Sequence, residues 1–210
     1  MHRRPLLSLL DRYLERFPED AARAAIIRRF VETHADCFER CCREGHVTGS
    51  AWIVSRDGSH VLLVRHRKLG AWLQPGGHAD GDSDAAAVAL REAAEESGLE
   101  SLAYVDWSRD PSGDVLPFDV DVHTIPALGG EPAHLHLDVR FLLVADRAEP
   151  LRPTCESDDV RWVRPPQVAE LSAEPGLLRM AVRASRLIAG WPSEAGWPSE
   201  AGWPGPKTGG

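Results

Sequence analysis

Between Gly77 and Leu99 the chain reads GHADGDSDAAAVALREAAEESGL, which crowds Glu92, Glu95 and Glu96 beside Arg91. The Ala-rich run predicts a short helix that stops at Gly98. Residues three and four apart are neighbours on a helix, so the three carboxylates share a face. Glu92 and Glu96 form a like-charge pair costing a few tenths of a kcal/mol. Glu95 and Glu96 fall in the last turn, where the helix dipole disfavours anions by roughly 0.3–1 kcal/mol each. A divalent cation offsets this repulsion, and hard oxygen ligands suit Mg²⁺, Mn²⁺ or Ca²⁺.

A second constellation alternates along predicted strands. His134, His136, Asp138 and Arg140 share one face, with Leu135, Leu137, Val139 and Phe141 on the other. Asp119, Asp121 and His123 alternate with Val120 and Val122 on the preceding strand. Antiparallel pairing would merge the two polar faces into a His/Asp patch. Such a patch can bind a transition metal, form part of a substrate pocket that reads base, ribose or phosphate, or be an ordinary solvated sheet face.

The Gly77–Leu99 segment resembles the Nudix box: Gly, five residues, Glu, seven residues, then Arg-Glu-U-x-Glu-Glu-x-Gly-U, with U a bulky aliphatic. Gly77, Arg91-Glu92, Glu95-Glu96, Gly98 and Leu99 fall in register, and Trp72-Leu73-Gln74-Pro75-Gly76 looks like the usual lead-in. Two positions depart: Ser83 stands at the first box Glu, and Ala93 is a small version of U. The resemblance implies an α/β Nudix-like α/β/α sandwich with a mixed sheet. It implies hydrolysis of a phosphoanhydride bond in a nucleoside diphosphate linked to another moiety, with Mg²⁺ or Mn²⁺. By the same resemblance Glu92, Glu95 and Glu96 match metal-binding and catalytic positions, with Glu92 a ligand or a base depending on the member. Arg91 matches the residue that orients them, and the Gly76 carbonyl a backbone metal ligand. The family often adds a carboxylate from a late loop, for which Glu156, Asp158 and Asp159 are candidates, Glu156 first.

Ser83 is a reasonable N-cap for a helix beginning near Asp84. Asp80, Asp82 or Asp84 can replace the charge that the first box position lacks. Substrate phosphates need cations: Arg65 and Arg67 precede the box at a strand end, and His78 follows its glycine. His136 and Asp138 are expected to shape substrate choice. Two other functions fit the same resemblance. An isomerase of allylic diphosphates needs a pocket Cys, and no Cys lies near this box. A ligand-binding Nudix domain usually loses its box carboxylates, and all three remain here.

The 210-residue chain is long enough for one sizeable core with an extension. A formal net charge of −8 argues against broad binding of nucleic acid or anionic membranes, so a small-molecule nucleotide derivative is the expected partner. No apolar run reaches membrane-spanning length, and Met1–Leu7 does not read as a secretory signal. Cytoplasm is the expected compartment. Cys37, Cys41 and Cys42 crowd one segment, a poor disulfide framework. His34 and His46 lie near them, but the spacing matches no common zinc pattern, and buried thiols are the simpler reading.

Residues 1–45 read as a helical extension: one helix through Leu6–Phe17, a second from near Glu19, a third piece over 35–43. Its role is to cover the sheet, line the site or make a homodimer contact. Residues 46–189 read as the Nudix domain, with strands at 47–54, 61–64, 102–107, 119–125, 134–144 and 160–163 and a last helix from about Pro166 or Glu174 to Ile188. Residues 190–210 repeat Gly-Trp-Pro-Ser-Glu-Ala, a low-complexity tail expected to be dispensable for chemistry.

Overall fold

The computed structural model describes residues 2–127, 130, 132–154 and 157–189. Helices α1 (Arg4–Arg16) and α2 (Ala21–Thr33) precede strands β1 (Gly45–Ser55), β2 (Val61–His66), β3 (Ala71–Leu73) and β4 (Gly76–His78). Helix α3 (Ala85–Ser97) follows, then β5 (Ala103–Tyr104), β6 (Asp119–Ile125), β7 (His134–Ala145), β8 (Ser157–Val163), α4 (Val168–Leu171) and α5 (Pro175–Ala189). The chain forms two compact units that interleave along the sequence. The first takes residues up to Ala51, Gly76–Glu92 and Asp106–Leu142; the second takes Trp52–Pro75, Ala93–Val105 and the chain from Leu143 onward. Strands β1 and β7 and helix α3 each begin in the first unit and end in the second.

In the first unit the start of β1 has β4 as an antiparallel neighbour, with Thr48 opposite His78 and Ser50 opposite Gly76. On its other side lies β7. The Leu135 N–H donates to the Glu44 carbonyl, while Thr48 and Ser50 reach Asp138, so β1 and β7 run in the same direction. Strand β7 pairs antiparallel with β6, making the sheet mixed. Helix α3 approaches β1 at Gly49, where a Cβ would meet the Ala85 carbonyl at 2.7 Å and the Ala89 nitrogen at 2.9 Å. A side chain larger than hydrogen would push the box helix off the strand.

The N-terminal helices belong to this unit. Leu6, Leu10 and Tyr13 form the buried face of α1, and Ala24, Ile27, Phe30 and Val31 that of α2. Helix α2 packs against β6, so the extension covers the sheet. Pro18 ends the first helix as expected, opening a short 3₁₀ turn. Residues 35–43 are turns rather than the expected third helix. Their backbone groups are used elsewhere: Val47 N–H donates to Cys37 and Gly81 N–H to Phe38.

In the second unit β2 pairs antiparallel with β3 and β8, and the end of β7 pairs with β5. The 102–107 strand shrinks to Ala103–Tyr104 before a 3₁₀ turn, and the last helix, α5, begins at Pro175, beside the later of its two expected starts, after the short α4. Gly98 ends α3 with φ 73°, the left-handed cap that glycine adopts without strain. Among the described residues no helix is long and apolar enough to cross a membrane. The Trp-Pro repeat lies outside the described residues.

Candidate functional site

Helix α3 begins at Ala85 and carries Arg91, Glu92, Glu95 and Glu96. Its N-cap is Asp84 rather than Ser83: Asp84 Oδ1 accepts from the Ala86 and Ala87 N–H groups, both at 3.1 Å. Asp82 in turn accepts from the Asp84 N–H. A loop rich in Asp therefore supplies the helix start, and the residue at the departing box position is not needed for it.

Strand β4 and the start of α3 set the position of Glu92. Its carboxyl group lies where a side chain on Gly77 would be: a Cβ there would stand 2.5 Å from the Glu92 carboxyl carbon. Arg91 Nη2 donates to Glu92 Oε1 at 3.0 Å and to the His78 carbonyl at 2.9 Å. One guanidinium thus ties the carboxylate to the strand that ends the box lead-in. The Glu92 side chain is only 16% exposed. Glu95 is exposed and Glu96 half-buried on the same helix. Helix-borne carboxylates and a backbone carbonyl at Gly76 are all hard oxygen donors, and that donor chemistry fits Mg²⁺ or Mn²⁺.

The cationic candidates fall in the second unit. Arg65 is exposed on β2, opposite Asp159 of β8. Arg67 lies beyond the end of β2, so alternation along a strand does not place it with Arg65. Its guanidinium donates to Asp158 at 2.8 Å and to the Ser157 carbonyl. Asp158 and Asp159 both hold arginine partners, Arg67 and Arg161. Glu156 lies outside the described residues.

The strand patch forms by the expected antiparallel pairing of β6 with β7. Asp119 faces Arg140, Asp121 faces Asp138, His123 faces His136 and Ile125 faces His134. It is not a solvated face. Arg140 and Asp138 are each 1% exposed and Asp119 is fully buried. Arg140 spans three carboxylates, at 2.6 Å to Asp138, 3.2 Å to Asp119 and 3.0 Å to Asp121. The hydroxyls of Thr48 and Ser50 donate to Asp138 Oδ1 at 3.0 and 2.6 Å. Burial alone would raise the Asp138 pKa, but Arg140, His123 and the Ser50 hydroxyl hold it below the usual carboxylate range. Both Asp138 oxygens thus serve protein donors.

Above this network the histidines gather. His46 at the start of β1 stands 4.8 Å, ring centre to ring centre, from His78, and 4.9 Å from both His134 and His136. His136 is 5.0 Å from His78 and 5.5 Å from His123. Burial and the neighbouring imidazoles press the His136 pKa down to about 2. Burial and Arg40 press His78 down to about 4. Both rings are neutral at physiological pH. Sequence reasoning had attached His46 to the cysteines instead. Cys37 and Cys42 are buried thiols, with Cys37 pushed up to about 11 by burial. The missed signal was alternation, since His46, Thr48 and Ser50 occupy every second position of β1 and all three face the patch.

A family model described as NUDIX domain matches residues 46–183, and the chain belongs to that family. A curated Mycobacterium tuberculosis protein provisionally named 8-oxo-dGTP diphosphatase 3 is 32% identical over 127 residues, covering 57% of this chain and 52% of that protein. The chain thus spans about half the length of the curated relatives it matches. Among solved structures, a binary complex of a Caenorhabditis elegans Ap4A hydrolase superposes with a TM-score of 0.54 at 17% identity, covering 69% of this chain and 98% of that one. A NUDIX family hydrolase from Clostridium perfringens gives 0.50 at 25% identity with the same coverage. These likenesses agree with a mixed α/β fold that carries an added N-terminal helical segment.

Proposed function

We propose that this protein hydrolyses a phosphoanhydride bond in a nucleoside diphosphate linked to another moiety, with Mg²⁺ or Mn²⁺ as cofactor. The observation that carries the reading is the Glu92 carboxylate, seated against Gly77 and held by Arg91 on the helix that also bears Glu95 and Glu96. The Gly76 carbonyl, Glu92, Glu95 and Glu96 are the oxygen donors in this reading. A cation held there supplies charge neutralisation on phosphate oxygens and a more acidic water. Glu92 is also the group placed to accept the proton of an attacking water at a carboxylate oxygen, because Arg91 fixes its orientation. Arg65 and His78 are the chain's phosphate contacts, and Glu156 its late carboxylate. Residues 46–189 form the catalytic domain in this reading, with residues 1–45 as its cover. The substrate is a small molecule, and the compartment is the cytoplasm.

The name of the Mycobacterium tuberculosis relative is that of a nucleotide diphosphatase, consistent with this substrate class. The test is a hydrolysis screen of nucleotide diphosphate derivatives in Mg²⁺ and in Mn²⁺, with the products identified. Metal-dependent release of a nucleoside monophosphate supports the reading. Ligand binding without turnover across the screen would favour a non-catalytic domain. An isomerised allylic diphosphate that keeps its diphosphate would favour the isomerase.

A further inference from the structure

We propose that His46, His134 and His136 bind one transition-metal ion, Zn²⁺ foremost, at a site separate from the carboxylates of the box. One ring nitrogen from each can be chosen so that all three lie within 4.8 Å of one another. His46 is 4% exposed, yet neither of its ring nitrogens has a hydrogen-bond partner. The Cys42 backbone offers that ring a favourable contact that falls short of hydrogen-bond geometry. Nε2 of His136 is likewise buried and unpartnered. Buried imidazole nitrogens normally find a donor or acceptor, and a metal ion is a partner that satisfies three at once.

Two further features suit a cation. His134 Nδ1 lies 2.9 Å from the Pro132 carbonyl, which as acceptor fixes the proton on Nδ1 and leaves the Nε2 lone pair free. This is the outer hydrogen bond that orients a ligating imidazole. Beneath the rings, three buried carboxylates share one arginine, a negative excess on the same sheet face as His123 and His136. The positive groups nearby do not oppose this. Arg40, whose charge acts on His78 and His46, is forked onto Asp80 at 2.5 and 2.8 Å.

Nitrogens at Zn–N distances of ~2.0–2.1 Å stand about 3.3–3.4 Å apart in a tetrahedral site. The rings therefore close by small χ rotations, which the half-exposed His134 and His136 permit. Three imidazoles leave one coordination position open, the arrangement of a site that takes water or a ligand oxygen. His78, the residue after Gly77, stands beside His46 and His136. An all-nitrogen set also separates the two sites by chemistry: imidazole selects Zn²⁺ or Co²⁺, while the box carboxylates select Mg²⁺ or Mn²⁺.

The test uses the full chain, stripped with chelator and titrated with Co²⁺ alone and Zn²⁺ alone. Wild type is expected to take up one Co²⁺ with the visible absorption of a nitrogen-ligated, low-coordinate ion, displaced by one equivalent of Zn²⁺. The Glu92→Gln/Glu96→Gln double variant should keep that spectrum. His136→Ala and, separately, His134→Gln should lose it, with Zn²⁺ affinity down ~100-fold or more, beyond the range seen for outer-shell changes. Circular dichroism shows which variants are folded. No such spectrum in wild type, the same spectrum in a folded His136→Ala or His134→Gln protein, or its loss in the carboxylate variant would overturn the proposal. The inference does not rest on the hydrolase reading, because an inactive protein that still binds Co²⁺ through these histidines contradicts only the latter.

Discussion

The carboxylate of Glu92 occupies the space that a side chain on Gly77 would fill. The glycine of the box and the first carboxylate of its helix are fifteen residues apart in sequence and in van der Waals contact in the fold. Gly77→Ala therefore forces the far end of a flexible side chain to move while the backbone stays. Stability should change by less than about 1 kcal/mol, whereas displacing a reacting group by about 1 Å can cost ~100-fold in rate. Paired measurements of kcat/KM and Tm check this; equal activity in the variant would show that the contact is incidental.

Arg140 should be among the costliest residues to lose. Arg140→Met removes the guanidinium shared by Asp119, Asp121 and Asp138, all buried. Breaking a buried ion network on one side typically costs 3–5 kcal/mol, so about that loss is expected in urea denaturation at pH 7. The deficit should narrow in acid as Asp138 protonates. A change below about 1 kcal/mol would mean that the hydroxyls of Thr48 and Ser50 already satisfy the site.

The start of the box helix separates Ser83 from Asp84. Asp84→Ala removes the side chain that caps Ala86 and Ala87, at an expected cost of about 0.5–2 kcal/mol. Ser83→Glu restores the residue usual at that position of the box and should shift stability by less than about 0.5 kcal/mol. Thermal melts of the two variants side by side test the assignment, which fails if Ser83→Glu is the more damaging.

Asp57 gives a pH signature in the turn between β1 and β2. Burial would raise its pKa, but the Ser55 hydroxyl and the Ser59 hydroxyl and N–H hold it down to about 2. A depressed carboxylate stabilises the fold above its unfolded pKa of 3.8 and loses that contribution as pH falls towards 2. Asp57→Asn should thus be roughly 0.5–1 kcal/mol less stable than wild type at pH 7, after allowance for solvent screening. The gap should close between pH 4 and pH 2. A gap independent of pH would exclude a charge effect.

The helix of the box and the shared polar face of β6 and β7 were legible because their signals are local. The Ala-rich run ending at Gly98 marks the first, and strict alternation from Asp119 to His123 and His134 to Phe141 the second, whereas the register itself comes from the fold. The role of His46 was not legible, because it comes from β1 running beside β7, a pairing between segments some ninety residues apart. Burial of the Asp/Arg ladder was missed for a similar reason. Alternating charges read as a surface until Thr48, Ser50 and Arg140 supply the partners that make burial tolerable. The turns over 35–43 were read as helix from composition alone, whereas their backbone groups serve β1 and the box loop.

The most direct test of the central claim is turnover by Glu96→Gln at saturating Mg²⁺, on the nucleotide diphosphate derivative that wild type hydrolyses best. The account predicts at least a ~100-fold fall in kcat, about 2.7 kcal/mol on the barrier. The melting temperature of the metal-free protein should stay the same or rise, because one of three repelling carboxylates has been neutralised. Near-normal turnover in that variant would contradict the assignment of the box helix as the hydrolytic centre.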